Sequence, residues 1–143
     1  FIEVMPMNDT DMPRHMQFVS LENVYKELDK KFKFENSDYN TGGPSNYYVS
    51  KKLNIKVGFI TPLSNNFCAS CNRVRISSTG KLYMCLGQND FIDFREILRT
   101  DRSDDYIKEK IKFALSIKPQ KHDFIINSGV KPYINRFMNE TGG

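Results

Sequence analysis

The chain has no tryptophan, only two histidines and only three cysteines in 143 residues, and the last of these scarcities removes a class of explanation. An odd, small number of cysteines argues against a disulfide-stapled scaffold. No apolar run approaches the roughly 18 residues a helix needs to cross a bilayer, and no charged-then-apolar leader is present. The expectation is therefore a soluble protein in a reducing compartment, with no membrane partner. A second C-x-x-C is missing, and so is any helix dense in Lys and Arg. With 21 basic and 17 acidic residues the net charge is +4, a mild excess that favours anionic ligands without the basic patches of a nucleic-acid binder. The apolar fraction of 39% is ordinary for one domain with a real core.

What the chain does have is concentration. All three cysteines lie between Cys68 and Cys85. Arg73-Val74-Arg75-Ile76-Ser77 and Lys81-Leu82-Tyr83-Met84-Cys85 read as short strands joined by Ser78-Thr79-Gly80, with glycine where a three-residue hairpin needs a left-handed residue. If Ser77 pairs with Lys81, then Arg75 faces Tyr83 and Arg73 faces Cys85. Cys85 then falls about two residues' rise, roughly 7 Å, from Cys71. Because alternate and directly paired residues share a face, Cys85, Arg73 and Arg75 are expected on one side of the hairpin.

Three thiolates under-fill a structural zinc site but suit a four-iron, four-sulfur cluster with one iron left open. Two arginines one residue apart suit a polyphosphate, which guanidinium groups bind in bidentate fashion. The joint reading is a metal-anchored nucleotide or similar anion. Other readings stay open: unliganded thiols, zinc held by three cysteines with His122 or His15 as fourth ligand, and arginines that are only solvated strand-edge charges.

Cys68-x2-Cys71-x13-Cys85, with Cys71-Asn72-Arg73-Val74-Arg75, resembles the carboxy-terminal cluster motif of the GTP 3',8-cyclase family, radical S-adenosylmethionine enzymes of molybdenum cofactor biosynthesis. Phe1-Ile2-Glu3-Val4-Met5-Pro6 is similar to that family's last barrel strand. Gly58-Phe59-Ile60-Thr61-Pro62 is similar to the strand entering the cluster, and Asn135-Arg136-Phe137-Met138 to the segment before its double-glycine end, here Gly142-Gly143. The resemblance implies a 4Fe-4S cluster on Cys68, Cys71 and Cys85, substrate contacts from Arg73, Val74 and Arg75, and an S-adenosylmethionine contact at Met5, largely through backbone. It also implies a role in radical initiation for Gly142 and Gly143, with Thr141 standing where the family more often has isoleucine. The implied reaction converts GTP to (8S)-3',8-cyclo-7,8-dihydroguanosine triphosphate, a lyase-class step in which a deoxyadenosyl radical takes a ribose hydrogen and the ribose carbon attacks guanine. That radical requires S-adenosylmethionine and a second 4Fe-4S cluster on a C-x3-C-x2-C motif not found in these residues. The implied partners are a second copy in a homodimer and a downstream cyclic pyranopterin monophosphate synthase that receives the product. A bacterial source implies the cytoplasm, and a eukaryotic one allows the mitochondrion.

The rest of the chain reads as scaffold. It opens on Phe1 in an apolar, strand-like stretch, which suggests a fragment, not expected to be active alone. Asn8 to Gln17 lacks any period and reads as a loop. Ser20 offers a cap to a helix with Leu21, Val24, Tyr25 and Leu28 on one face, ending near Lys31. Phe32 to Glu35 alternates like a strand. Asn46–Ser50 and Ile55–Ile60 form a hairpin about Lys51–Asn54, and Thr61-Pro62 ends its second strand. Phe91, Phe94, Ile97 and Leu98 suggest a short helix ending near Arg99. Ser103 caps a longer one with Ile107, Ile111, Ala114 and Leu115 along one side, broken by Lys118-Pro119.

The fold class expected is α+β, an antiparallel sheet of four or five strands with packed helices, following the last strand of a partial β/α barrel. Residues 1–17 are assigned to the end of that barrel and 18–143 to a carboxy-terminal cluster and GTP-binding domain. The competing function is a zinc-stabilised Cys-rich hairpin module that binds nucleic acid or protein without catalysis, its Tyr and Phe residues stacking on bases.

Overall fold

The computed structural model describes residues 1–8, 12–100, 103–130 and 134–141. It divides into two compact units, one of Phe1–Met5 with Asp11–Cys71 and one of Pro6–Thr10 with Asn72–Gly143. The architecture is α+β, with two antiparallel three-stranded sheets.

In the first unit, helix α1 (Arg14–Gln17) is a single turn inside the stretch expected to be loop. It is followed by α2 (Leu21–Phe32). Leu21, on the apolar stripe, is buried while Glu22 and Lys26 pair on the exposed side. Ser20 makes no side-chain cap bond here. The first-turn amide of Leu21 is instead taken by Glu3 Oε1 at 3.1 Å. At the other end Lys33 turns left-handed (φ 52°) and its amide closes on the Asp29 carbonyl, while Asp29 Oδ1 accepts from the Phe34 amide. That stop explains why the following strand, β1 (Phe34–Asn36), starts later than its alternation suggests.

Strands β2 (Asn46–Ser50) and β3 (Ile55–Phe59) form the expected hairpin, Tyr48 opposite Val57 and Ser50 opposite Ile55, and β1 adds to the other edge of β2. Asn54 supplies the left-handed turn residue (φ 51°). Tyr25, Phe34, Tyr48 and Phe59 meet edge-on or tilted, and Phe1 stacks on Phe59 with ring centroids 5.4 Å apart. Such geometry adds to the burial of the rings. The strand-like opening of the chain runs parallel to the end of the hairpin, Ile2 bridging Ile60.

The second unit holds β4 (Arg75–Ile76), β5 (Lys81–Tyr83) and β6 (Phe91–Asp93) in that order. Phe91 to Asp93 is strand, where the apolar spacing suggested helix. It pairs Leu82 with Ile92, and only from Phe94 does the chain coil into α3 (Phe94–Arg99), capped by Asp93. Three residues of extended pairing satisfy backbone groups that a helix starting at Phe91 would leave against β5. Helix α4 (Asp104–Ser116) is capped by Ser103 as expected. Of its apolar face Ala114 is buried completely and Ile107 packs on the core of Leu82, Met84 and Phe94, while Ile111 and Leu115 remain exposed. Residues 134–141 contribute a bridge between Ile134 and Met7 and a short helical turn at Met138–Thr141. Among the described residues no helix is long and apolar enough to cross a membrane.

Candidate metal centre

Cys68 and Cys71 belong to the first unit and Cys85 to the second. All three are half-buried thiols outside any disulfide.

The approach to Cys68 is organised by a carboxylate. Glu3 is 2% exposed. One of its oxygens accepts from the amides of Leu63 (2.9 Å) and Ser64 (3.0 Å), and the other from the Leu21 amide and the Ser64 hydroxyl. Burial pushes the pKa of Glu3 up, but the Ser64 hydroxyl and the amides of Ser64, Leu21 and Leu63 outweigh it and hold the carboxyl below its ordinary 4.5. A charge this buried is tolerable only because its acceptor capacity is filled. The loop after Pro62 is thus pinned where it leaves the sheet. Thr61 Oγ1 adds a bond to the Asn65 carbonyl, 2.8 Å. Cys68 to Ser70 then form one helical turn, the Cys71 amide donating to the Cys68 carbonyl at 3.1 Å. That turn brings the two ends of the C-x-x-C back toward each other.

The approach to Cys85 is organised by cations. The hairpin register is the expected one: Arg75 opposite Tyr83, the Ser77 amide on the Lys81 carbonyl, and Gly80 left-handed at φ 78°. The ladder itself spans only Arg75–Ile76, so Arg73 and Cys85 lie beyond its last rung. Lys118 takes over there, Nζ donating to the Arg73 and Met84 carbonyls at 2.8 Å each. The loop beyond Cys85 is gripped by Arg136, whose Nη2 reaches the carbonyls of Leu86 (2.8 Å) and Gln88 (2.7 Å) and, more loosely, Cys85 (3.4 Å). Its guanidinium also lies 4.2 Å from the Tyr83 ring centroid. Burial pushes the Arg136 pKa down and Arg75 adds to that, while Tyr83, Cys85 and Glu140 oppose it. Arg75 and Cys85 thus both act on the Arg136 guanidinium within the second unit. Val74 is 37% exposed and Arg73 is exposed.

Among the described residues no three or more His, Cys, Asp or Glu stand together as a metal site. His122 Nδ1 accepts from the Phe124 amide at 3.2 Å and the ring packs on Phe124. His15 sits in α1 of the first unit. Met5 is half-buried at the end of its strand-like stretch. Gly142 and Gly143 lie outside the described residues.

Sequence reasoning passed over Glu3 and Arg136 as functional supports. Each carries a signal: Glu3 is the lone charge in Phe1-Ile2-Glu3-Val4-Met5, and Arg136 the lone cation between Ile134 and Met138. A single charge inside an apolar run is either misplaced or fully partnered.

Residues 1–124 match the family Molybdenum Cofactor Synthesis C. The chain is 44% identical over 142 residues to the GTP 3',8-cyclase of Erythrobacter litoralis, 46% over 143 residues to that of Agrobacterium fabrum, and 45% over 143 residues to that of Brucella ovis. Each comparison takes in 99% of this chain but 43%, 41% and 42% of those proteins. The chain spans less than half the length of the curated relatives it matches.

Proposed function

Because this chain belongs to the Molybdenum Cofactor Synthesis C family, we propose that it is the carboxy-terminal, substrate-holding part of a GTP 3',8-cyclase. Cys68, Cys71 and Cys85 are the ligands of a 4Fe-4S cluster. The kind of donor suits that group, three reduced thiols with two of them joined by a single helical turn, and the third comes from the other compact unit. Such a cluster, when bound, supplies one iron without a protein ligand, a position for a donor atom of the purine.

The chain's own residues do the rest. Arg73 and Arg75 hold the triphosphate through charge-assisted, bidentate contacts, with Val74 between them lining the substrate. Glu3 and Arg136 hold the two segments that carry the thiols. Fixing base and triphosphate together sets the ribose and guanine at near-attack separation, which is where a cyclisation gains most. Met5 contacts S-adenosylmethionine through its backbone, and Gly142 and Gly143 serve radical initiation. The whole enzyme carries a second 4Fe-4S cluster, acts as a homodimer, and passes its cyclised triphosphate to a cyclic pyranopterin monophosphate synthase.

The observation that carries this reading is the hairpin register, Arg75 opposite Tyr83 with Cys85 two residues on, in a chain that aligns almost entirely with cyclases. Its test is metal analysis after anaerobic purification. A brown protein with about four irons on these cysteines is expected, whereas one colourless zinc supports the non-catalytic module. Arg73→Ala is expected to weaken GTP binding by about 1.5 to 3 kcal/mol in calorimetric titration. Unchanged affinity would remove that arginine from the site.

A further inference from the structure

The geometry points to Arg136 as a positioning residue for the third cluster ligand: we infer that it locks Cys85 in place and thereby ties retention of the cluster to the tail of the chain. The inference rests on the cluster reading above. Arg136 is 7% exposed, and among the described residues it forms no ion pair. Its hydrogen-bond partners are the carbonyls of Cys85, Leu86 and Gln88 and the Asn89 side-chain oxygen, 3.0 Å from Nη1. One guanidinium thus spans a loop five residues long that no strand or helix holds.

A buried cation is costly to desolvate, and a lysine or an apolar side chain would serve packing as well. What neither provides is a planar fork able to gather several carbonyls at once. The guanidinium is itself fixed on two sides. Tyr83 lies under its plane. Two residues earlier, Ile134 is fully buried and accepts a hydrogen bond from the Asn8 amide at 2.6 Å, in the bridge to Met7. The tail is therefore anchored before it reaches the loop, and Arg136 transmits that anchorage to the backbone next to Cys85. Lys118 fixes the Met84 carbonyl on the other side of the same cysteine. Groups that orient a metal ligand in this way typically change metal affinity by about 10- to 100-fold when removed.

The test uses the whole protein as its gene encodes it, reconstituted anaerobically, with iron release to a chelator followed by absorbance. Circular dichroism reports folding, and hydrogen exchange reports the amides of residues 85–89. Arg136→Lys keeps the charge and loses the fork. It is expected to release the iron of this cluster about 10- to 100-fold faster, with faster exchange confined to 85–89. Asn89→Ala removes the side-chain oxygen that accepts from Arg136 and is expected to speed release about fivefold, the equivalent of one hydrogen bond. It decides the matter if Arg136→Lys does not fold. Wild-type release from folded Arg136→Lys, or from Asn89→Ala where the first variant is unfolded, overturns the inference and leaves the cluster reading intact. A wild-type protein that binds no iron on these cysteines overturns the cluster reading and the inference with it.

Discussion

Cys68 and Cys71 are delivered by a segment held by an anion, and Cys85 by a segment held by cations. Glu3 gathers backbone amides, those of Leu21, Leu63 and Ser64. Lys118 and Arg136 gather backbone carbonyls, those of Arg73 and Met84 and of Leu86 and Gln88. The difference follows from what each stretch of chain leaves unpaired. After Pro62 it is the N–H groups of Leu63 and Ser64 that find a charged partner, whereas past the last rung of the hairpin it is the C=O groups of Arg73 and Met84, and each such group needs one. In both cases a buried charge from a distant part of the sequence substitutes for secondary structure. Around the three cysteines, where regular hydrogen bonding ends, the backbone is held by single charged side chains.

That contrast is broken most severely at Glu3. Glu3→Ala leaves the buried Leu21 amide and the partly buried donors of Leu63 and Ser64 without acceptors and is expected to cost about 3 kcal/mol in urea denaturation. The loss has a pH signature. Since the folded-state pKa lies below 4.5, the contribution is complete above that value and fades as pH falls through the lower, folded-state pKa. Wild type should therefore lose stability on acidification across that window, and the variant should lose less.

Gly87→Ala strikes the other segment. A Cβ at Gly87 would lie 2.6 Å from His122 Cβ and 3.1 Å from the Phe124 ring. Overpacking of this kind costs about 2 kcal/mol, seen as a lower thermal midpoint, and it carries no acid limb of its own. The smallest effect is expected away from both segments. Ser103→Ala removes the cap of α4, whose hydroxyl accepts from the Tyr106 amide at 3.4 Å, and should cost about 1 kcal/mol without altering metal content.

The elements that local chemistry dictates were legible from sequence. Gly80 and Asn54 mark the two hairpin turns, Ser103 marks the start of α4, and the Arg75–Tyr83 register follows by counting from the turn. The α+β class and antiparallel pairing hold, with the strands divided between two sheets since Thr61-Pro62 cannot carry the first ladder onward. Less legible were features decided by distant partners. Phe91 to Asp93 has helical spacing but pairs with β5, and Ser20 looks like a cap while Glu3, 18 residues from Leu21, takes the amide. The same reason hides the supports of the candidate site. Nothing near Arg136 in sequence announces that its partners are 47 to 51 residues away.

Cys85 is proposed to complete one inorganic centre with Cys68 and Cys71. Iron and zinc content of anaerobically reconstituted wild type and Cys85→Ser addresses it most directly. The variant is expected to lose about four irons per chain, with stoichiometric zinc in neither protein. Full iron retention in Cys85→Ser, or a single zinc in the wild type that the variant gives up, would contradict it.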